Sequence, residues 1–121
     1  MAKINNPQKN ELSRAKRTSI LIRDNYTCQK CKLEDKTAKK LEIHHIKPLV
    51  FNGTNEDKNL ITLCYICHKY APNKEEEFKE YIDSECDGQL TLLIKTMKEL
   101  KGKNREDTFN KVNKNHIQKN G

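Results

Sequence analysis

The chain has 121 residues, 34% of them hydrophobic and none of them Trp, which fits one small domain with tails and an apolar core too sparse to stand unaided. Small domains of this kind lean on a disulfide or a bound metal. The 24 Lys and Arg against 17 Asp and Glu point to a polyanionic partner, most often nucleic acid; no stretch approaches the roughly 20 apolar residues of a membrane span, and the polar start "MAKINNPQKNELSRAKR" has no apolar signal core, so a membrane is excluded and a cytoplasmic location expected.

Residues 1–9 read as a flexible basic arm. Asn10 or Ser13 caps a helix running to about Asp24, whose Leu12, Ala15, Ser19 and Ile22 recur at helical spacing as one apolar stripe. Arg14, Lys16 and Arg17 lie off that stripe. The stretch "NYTCQKCKLEDKTAKK" is a polar knuckle and loop, residues 41–46 a short strand, and "KPLVFNGTNEDKN" a long loop with an Asn52-Gly53 turn signal. Leu60 to Leu63 is a second strand, and a helix begins within "CYICHKYA" and stops before Pro72. Asn73 followed by Glu76 has the form of a capping box for a helix with Phe78, Tyr81 and Ile82 on its apolar face. Gly88 breaks that helix, another runs from about Gln89 to Leu100, and Gly102 opens a Lys- and Asn-rich tail, partly helical at 109–112. The expected organisation is therefore the arm (1–9), a central domain (10–72), a helical extension (73–101) and a basic tail (102–121). Charge is uneven along it: the acidic run "EEEFKEYIDSECD" is unsuited to face phosphates.

Four of the five cysteines form two C-x-x-C pairs, Cys28/Cys31 and Cys64/Cys67. Thiols in a reducing compartment favour metal over disulfide, and two such knuckles supply four thiolates to a tetrahedral Zn. A thioredoxin-like redox pair would need a βαβ frame, and neither pair has one. The fifth thiol, Cys86, is expected to be a partly buried free cysteine without a role.

The cysteine assignment leaves His44, His45 and His68 available, with Asn59 just ahead of the second strand. His44 and His45 are neighbours on a strand, where adjacent side chains point to opposite faces. His68 follows Cys67 on the first turn of a helix that the knuckle ties down.

With these residues in place, "LEIHHIKPLVFNGTNEDKNLITLCYICHK" resembles the core of an HNH endonuclease, the ββα-metal nuclease fold. The family pattern is an acidic residue or His followed by His, Asn about fourteen positions on and His about nine beyond, here His44, His45, Asn59 and His68. "RDNYTCQKC" resembles the arm that precedes this core in zinc-containing members, and the likeness spans roughly residues 14–71. It implies a small α+β fold: a ββα-metal core stapled by a four-cysteine zinc site, flanked by an N-terminal helix and C-terminal helices. It further implies that His45 is the general base, that His44 and His68 hold one catalytic divalent metal, and that Asn59 positions the base or helps hold that metal. Many members have Asp where His44 stands. Two imidazoles suit Mn, Co, Ni or Zn better than Mg, which prefers oxygen ligands.

The resemblance implies a metal-dependent DNA endonuclease of phage, mobile-element or restriction type, acting on double-stranded DNA in the cytoplasm of its own cell or of a phage host. Arg14, Arg17, Arg23 and Lys47 are the expected contacts to the DNA backbone. The alternative is a zinc-stapled nucleic-acid-binding module without catalysis. A ribonuclease is a weaker third, and the sequence sets no oligomeric state.

Overall fold

The computed structural model describes residues 12–86 and 88–100. The expectations for the basic arm, for Asn10 as a cap and for the 102–121 tail lie outside the described residues.

Helix α1 (Arg14–Arg23) starts where Ser13, in extended conformation, accepts a hydrogen bond from the Lys16 backbone N–H at 3.0 Å. The residues it buries are Ile20 and Leu21, with Leu12 packed at the edge, whereas Ala15, Ser19 and Ile22 face solvent. The expected Leu12–Ala15–Ser19–Ile22 stripe is thus displaced. Ile20, Leu21 and Ile22 are consecutive aliphatics, so helical periodicity alone cannot choose among them. The choice is made where α1 ends: the Asp24 carboxylate accepts the Thr62 backbone N–H at 3.0 Å. That bond sets the rotation of the helix against the sheet.

The sheet is one antiparallel hairpin, β1 (Leu41–His45) and β2 (Leu60–Cys64), with Leu41 opposite Cys64 and His45 opposite Leu60. The strand ends at His45, one residue earlier than expected. Ile46 still donates its backbone N–H to Asn59 at 2.9 Å, so the pairing continues into the loop. Inside that loop Asn52 adopts φ of +70° to close a 3-10 turn over Leu49–Phe51. Gly53 follows for a steric reason: a Cβ there would lie 1.8 Å from the Lys47 carbonyl oxygen.

Helix α2 (Tyr65–Lys69) begins as β2 ends, with Cys64 as its N-cap. Helix α3 (Glu75–Asp83) is capped by Lys74 without a side-chain hydrogen bond, so the Asn73/Glu76 capping box does not form. Three glutamates in the first turn complement the positive end of the helix dipole instead. Helix α4 (Gly88–Glu99) opens on Gly88 itself, at φ of +56°, a sign of φ that suits glycine.

One buried cluster joins all these elements: Ile20 and Leu21 of α1, Leu41, Leu60 and Leu63 of the hairpin, Ile66 of α2, Phe78 of α3, and Leu93 and Met97 of α4. The result is a small α+β fold, a hairpin and its following helix enclosed by a preceding helix and two later ones. Among the described residues no helix is long and apolar enough to cross a membrane.

Candidate metal centre and histidine site

Two chemical centres flank α2. The first is the cysteine cluster. At Cys28–Cys31 the chain reverses tightly, with Lys32 at φ of +67° and its N–H bonded to the Cys28 carbonyl at 2.9 Å. The second knuckle is the junction of β2 and α2. In each knuckle the later cysteine's backbone N–H donates to the earlier sulfur, Cys31 to Cys28 at 3.4 Å and Cys67 to Cys64 at 3.3 Å. Such bonds stabilise thiolate charge.

All four sulfurs lie within 4.8 Å of one another, and the Cys31 and Cys64 sulfurs are 3.8 Å apart. A sulfur tetrahedron around Zn, at bond lengths of about 2.3 Å, has edges of about 3.8 Å. The donor set and its spacing therefore fit a tetrahedral ion. Hydrogen bonds from the Cys31, Cys64 and Cys67 thiols hold Cys28 far below the ordinary thiol value, and Cys64 and Cys67 sit far above it. A shared-proton cluster of this kind already carries thiolate character, and a cation displaces the remaining protons.

The C-terminal helices brace this cluster. Tyr81 of α3 donates its hydroxyl to the Cys67 carbonyl at 2.7 Å, and burial pushes that hydroxyl's pKa well up. Lys98 of α4 donates to the Cys31 carbonyl at 3.1 Å. The buried Lys30, inside the first knuckle, donates to the Tyr81 and Ser84 carbonyls at the end of α3 and lies over the Tyr81 ring. Cys86 is a half-buried free thiol beyond α3. Tyr65 is buried in the core and Tyr70 is exposed.

The second centre is at the other end of the hairpin. Residues Glu42 and His44 share one face of β1, and His45 belongs to the other. The His44 ring lies edge-on to His68 of α2, with centroids 5.2 Å apart, and stacks at 4.7 Å on Phe78 of α3. It is buried, and its Nε2 has no hydrogen-bond partner. Burial first, then the nearby His68 and His45, lowers its pKa to about 4, so the ring is neutral and keeps a lone pair at physiological pH. An unsatisfied buried ring nitrogen is costly unless something else takes it up.

His68 is held by its Nδ1 against the Glu42 carboxylate at 2.5 Å. Metal-ligating histidines commonly donate one ring N–H to a carboxylate and present the other nitrogen to the metal. The structure thus brings two imidazoles together, one of them with an unpartnered ring nitrogen.

The two adjacent histidines diverge. His45 turns away from His44 into the long loop, where its Nε2 lies 2.7 Å from the Asn55 side-chain oxygen. Asn59 does not touch the His45 ring. Its side chain accepts from the Lys47 N–H at 2.8 Å and donates to the Lys47 and Thr54 carbonyls at 3.0 and 2.8 Å. Through these bonds Asn59 clamps the loop that carries Asn55.

Glu42 and Asn55 escaped the sequence reading. Glu42 had a legible signal, two residues before His44 on the same strand face. Asn55 had none, because an irregular loop gives no periodicity to follow.

Of the four expected DNA contacts, Arg14 and Arg17 are exposed on α1 and Lys47 is exposed beside His45. Arg23 is committed within the protein. Its guanidinium donates to both Asp24 carboxylate oxygens and to the Asp57 and Leu60 carbonyls, all at 2.7–2.9 Å. That uses four of five donors and braces α1 on β2, so a phosphate contact is not its assignment. Lys16 is likewise paired with Asp57 at 2.6 Å.

No curated protein and no solved structure matches the chain. The family model described as HNH endonuclease matches residues 28–74, a span that opens at the first knuckle and takes in the hairpin, the second knuckle and α2. Those residues are similar to an HNH endonuclease domain, and they include the four cysteines placed for a metal.

Proposed function

We propose that the protein is a metal-dependent endonuclease that hydrolyses phosphodiester bonds of double-stranded DNA, with His45 as general base and one divalent cation held by His44 and His68. The observation that carries this reading is the divergence of the two adjacent histidines. One imidazole meets His68 with an unpartnered nitrogen, and the other stands free of it on the opposite face.

In-line displacement at phosphorus needs a proton acceptor on the attacking side and charge stabilisation on the leaving side. His45 takes the proton from the attacking water as its oxygen bonds to phosphorus. The bond to the 3′-oxygen breaks on the far side, leaving a 5′-phosphate and a 3′-hydroxyl. His44 and His68 would hold the divalent cation, which would supply Lewis acidity to the reaction. Glu42 keeps His68 aimed, and the stacking of His44 on Phe78 fixes its ring. Lys47 is suited to hold a phosphate at the site, and Arg14 and Arg17 to hold the backbone further along. A small basic enzyme of this kind suits a phage, mobile-element or restriction setting. Four-cysteine zinc supplies the frame and takes no part in the chemistry.

The test is plasmid cleavage with Mg, Mn, Co, Ni or Zn added to wild type and His45→Ala, each matched for zinc content. Wild type nicks with at least one metal, and the variant is slower by about 100- to 10,000-fold. Equal rates overturn the base assignment. DNA binding without cleavage under every metal makes the protein a binding module.

A further inference from the structure

The contact between His45 and Asn55 carries an inference that rests on the nuclease reading and deepens it. We infer that Asn55 is a positioning residue: its side-chain oxygen holds the proton of neutral His45 on Nε2, so that Nδ1 is the atom that receives the water's proton.

The acceptor is an amide oxygen 2.7 Å from Nε2. An amide oxygen only accepts, so the ring nitrogen facing it must donate. In a neutral imidazole the other nitrogen then carries the lone pair. The placement of Asn55 is not loose. The carbonyl of the preceding Thr54 is held by Asn59 at 2.8 Å, and Asn59 also grips both backbone groups of Lys47. Gly53 closes on Lys47 so tightly that no side chain fits there. The loop delivers the amide to His45 from a frame pinned at both ends. The consequence is a division of labour along β1: the neighbour His44 faces His68, while the ring of His45 is turned and protonated so that one nitrogen alone is basic. During the reaction Nδ1 takes a proton and becomes N–H while Nε2–H stays on Asn55. The departing 3′-oxygen is protonated from solvent, and His45 then returns its proton to solvent.

The experiment uses the zinc-loaded full chain with nitrogen-15 in its histidines, as wild type, Asn55→Asp and Asn55→Leu. Long-range proton–nitrogen spectra at mildly basic pH report the tautomer of His45, assigned by its absence in His45→Gln. Wild type and Asn55→Asp, which keeps the acceptor, show the Nε2–H form, and Asn55→Leu shows a mixture. On plasmid DNA, Asn55→Leu loses about 10- to 100-fold in kcat, the usual scale for losing a support of this kind, with KM nearly unchanged, and Asn55→Asp retains most of the rate. An Nδ1–H tautomer in wild type overturns the inference. So does Asn55→Asp behaving like Asn55→Leu in the spectrum, which would mean that an acceptor at position 55 does not hold the ring. The spectra need no turnover, so a protein that cuts nothing would overturn the nuclease reading and leave the tautomer result standing.

Discussion

The two ends of the hairpin gather their cysteine and histidine side chains in opposite ways. At the cysteine end the donors are buried or half-buried, four in number, and braced from outside by Tyr81, Lys98 and Lys30. At the histidine end two imidazoles meet, one ring nitrogen is left unpaired, and a long loop hangs beside them. Complete coordination by protein suits an ion that holds structure, and incomplete coordination suits an ion that must meet a substrate. The same short helix, α2, serves both, since Cys67 and His68 are consecutive. Folding at one end therefore places His68 at the other.

The comparison breaks most visibly if the cysteine end proves dispensable. Cys64→Ser removes a thiolate ligand at the strand–helix junction while leaving a hydroxyl that can still cap α2. Metal binding of this class contributes on the order of 10–16 kcal/mol, more than a small domain's whole stability. The expected result is loss of bound zinc and of the cooperative thermal transition, read by metal analysis and circular dichroism. A variant that melts like wild type would remove the distinction between the two ends.

At the histidine end the expected effect is smaller and of another kind. Glu42→Gln keeps the shape but weakens the hold on His68. Affinity for a divalent ion at the histidine pair should fall about 10- to 100-fold, while zinc content and melting stay close to wild type. Calorimetric titration with Mn or Ni into the zinc-loaded protein reads this directly. Unchanged affinity would mean that His68 needs no carboxylate to be aimed, or that the pair takes up no ion.

How much of this was legible in the sequence depended on the kind of signal. The two C-x-x-C pairs and the His44, His45, Asn59, His68 spacing are local patterns, and local patterns survive in one dimension. The hairpin followed from them and from the short apolar runs on either side of the loop. What failed were choices that only tertiary contacts make. Three consecutive aliphatics in α1 gave no way to tell that Ile20 and Leu21, not Ile22, face the core. Asn73 and Glu76 had the spacing of a cap, yet α3 starts on Lys74 and glutamates at its positive end serve instead. Arg23 looked like a phosphate ligand because, with Arg14, Lys16 and Arg17, it precedes the first knuckle of a basic chain. The three groups that claim it, on Asp24, Asp57 and Leu60, lie as far as 37 residues away. Asn59 was legible as an important residue but not as a clamp on loop backbone, since its partners are main-chain atoms that no motif encodes.

The brace built by Arg23 and Asp24 gives the smallest and most specific prediction, because it links α1 to β2 midway between the two ends. Burial works to raise the Asp24 pKa, but hydrogen bonds from Arg23 and the Thr62 N–H outweigh it and lower the value from 3.8. With the folded value depressed, the unfolded chain takes up a proton first as pH falls. The stabilisation is therefore complete well above pH 3.8 and is lost progressively as pH drops through that value toward the lower folded one. Asp24→Asn should cost about 1–2 kcal/mol at pH 7, as expected for a charge-assisted bond at a half-covered site. Urea midpoints of the zinc-saturated proteins read the difference, and the gap between variant and wild type should hold from pH 7 to 5 and narrow toward pH 4. Subtracting the variant removes the acid sensitivity of the thiolates, which both proteins share. A gap that stays constant in acid would assign the brace to packing of the Arg23 stem against β2, and the carboxylate would then play no part in fixing the rotation of α1.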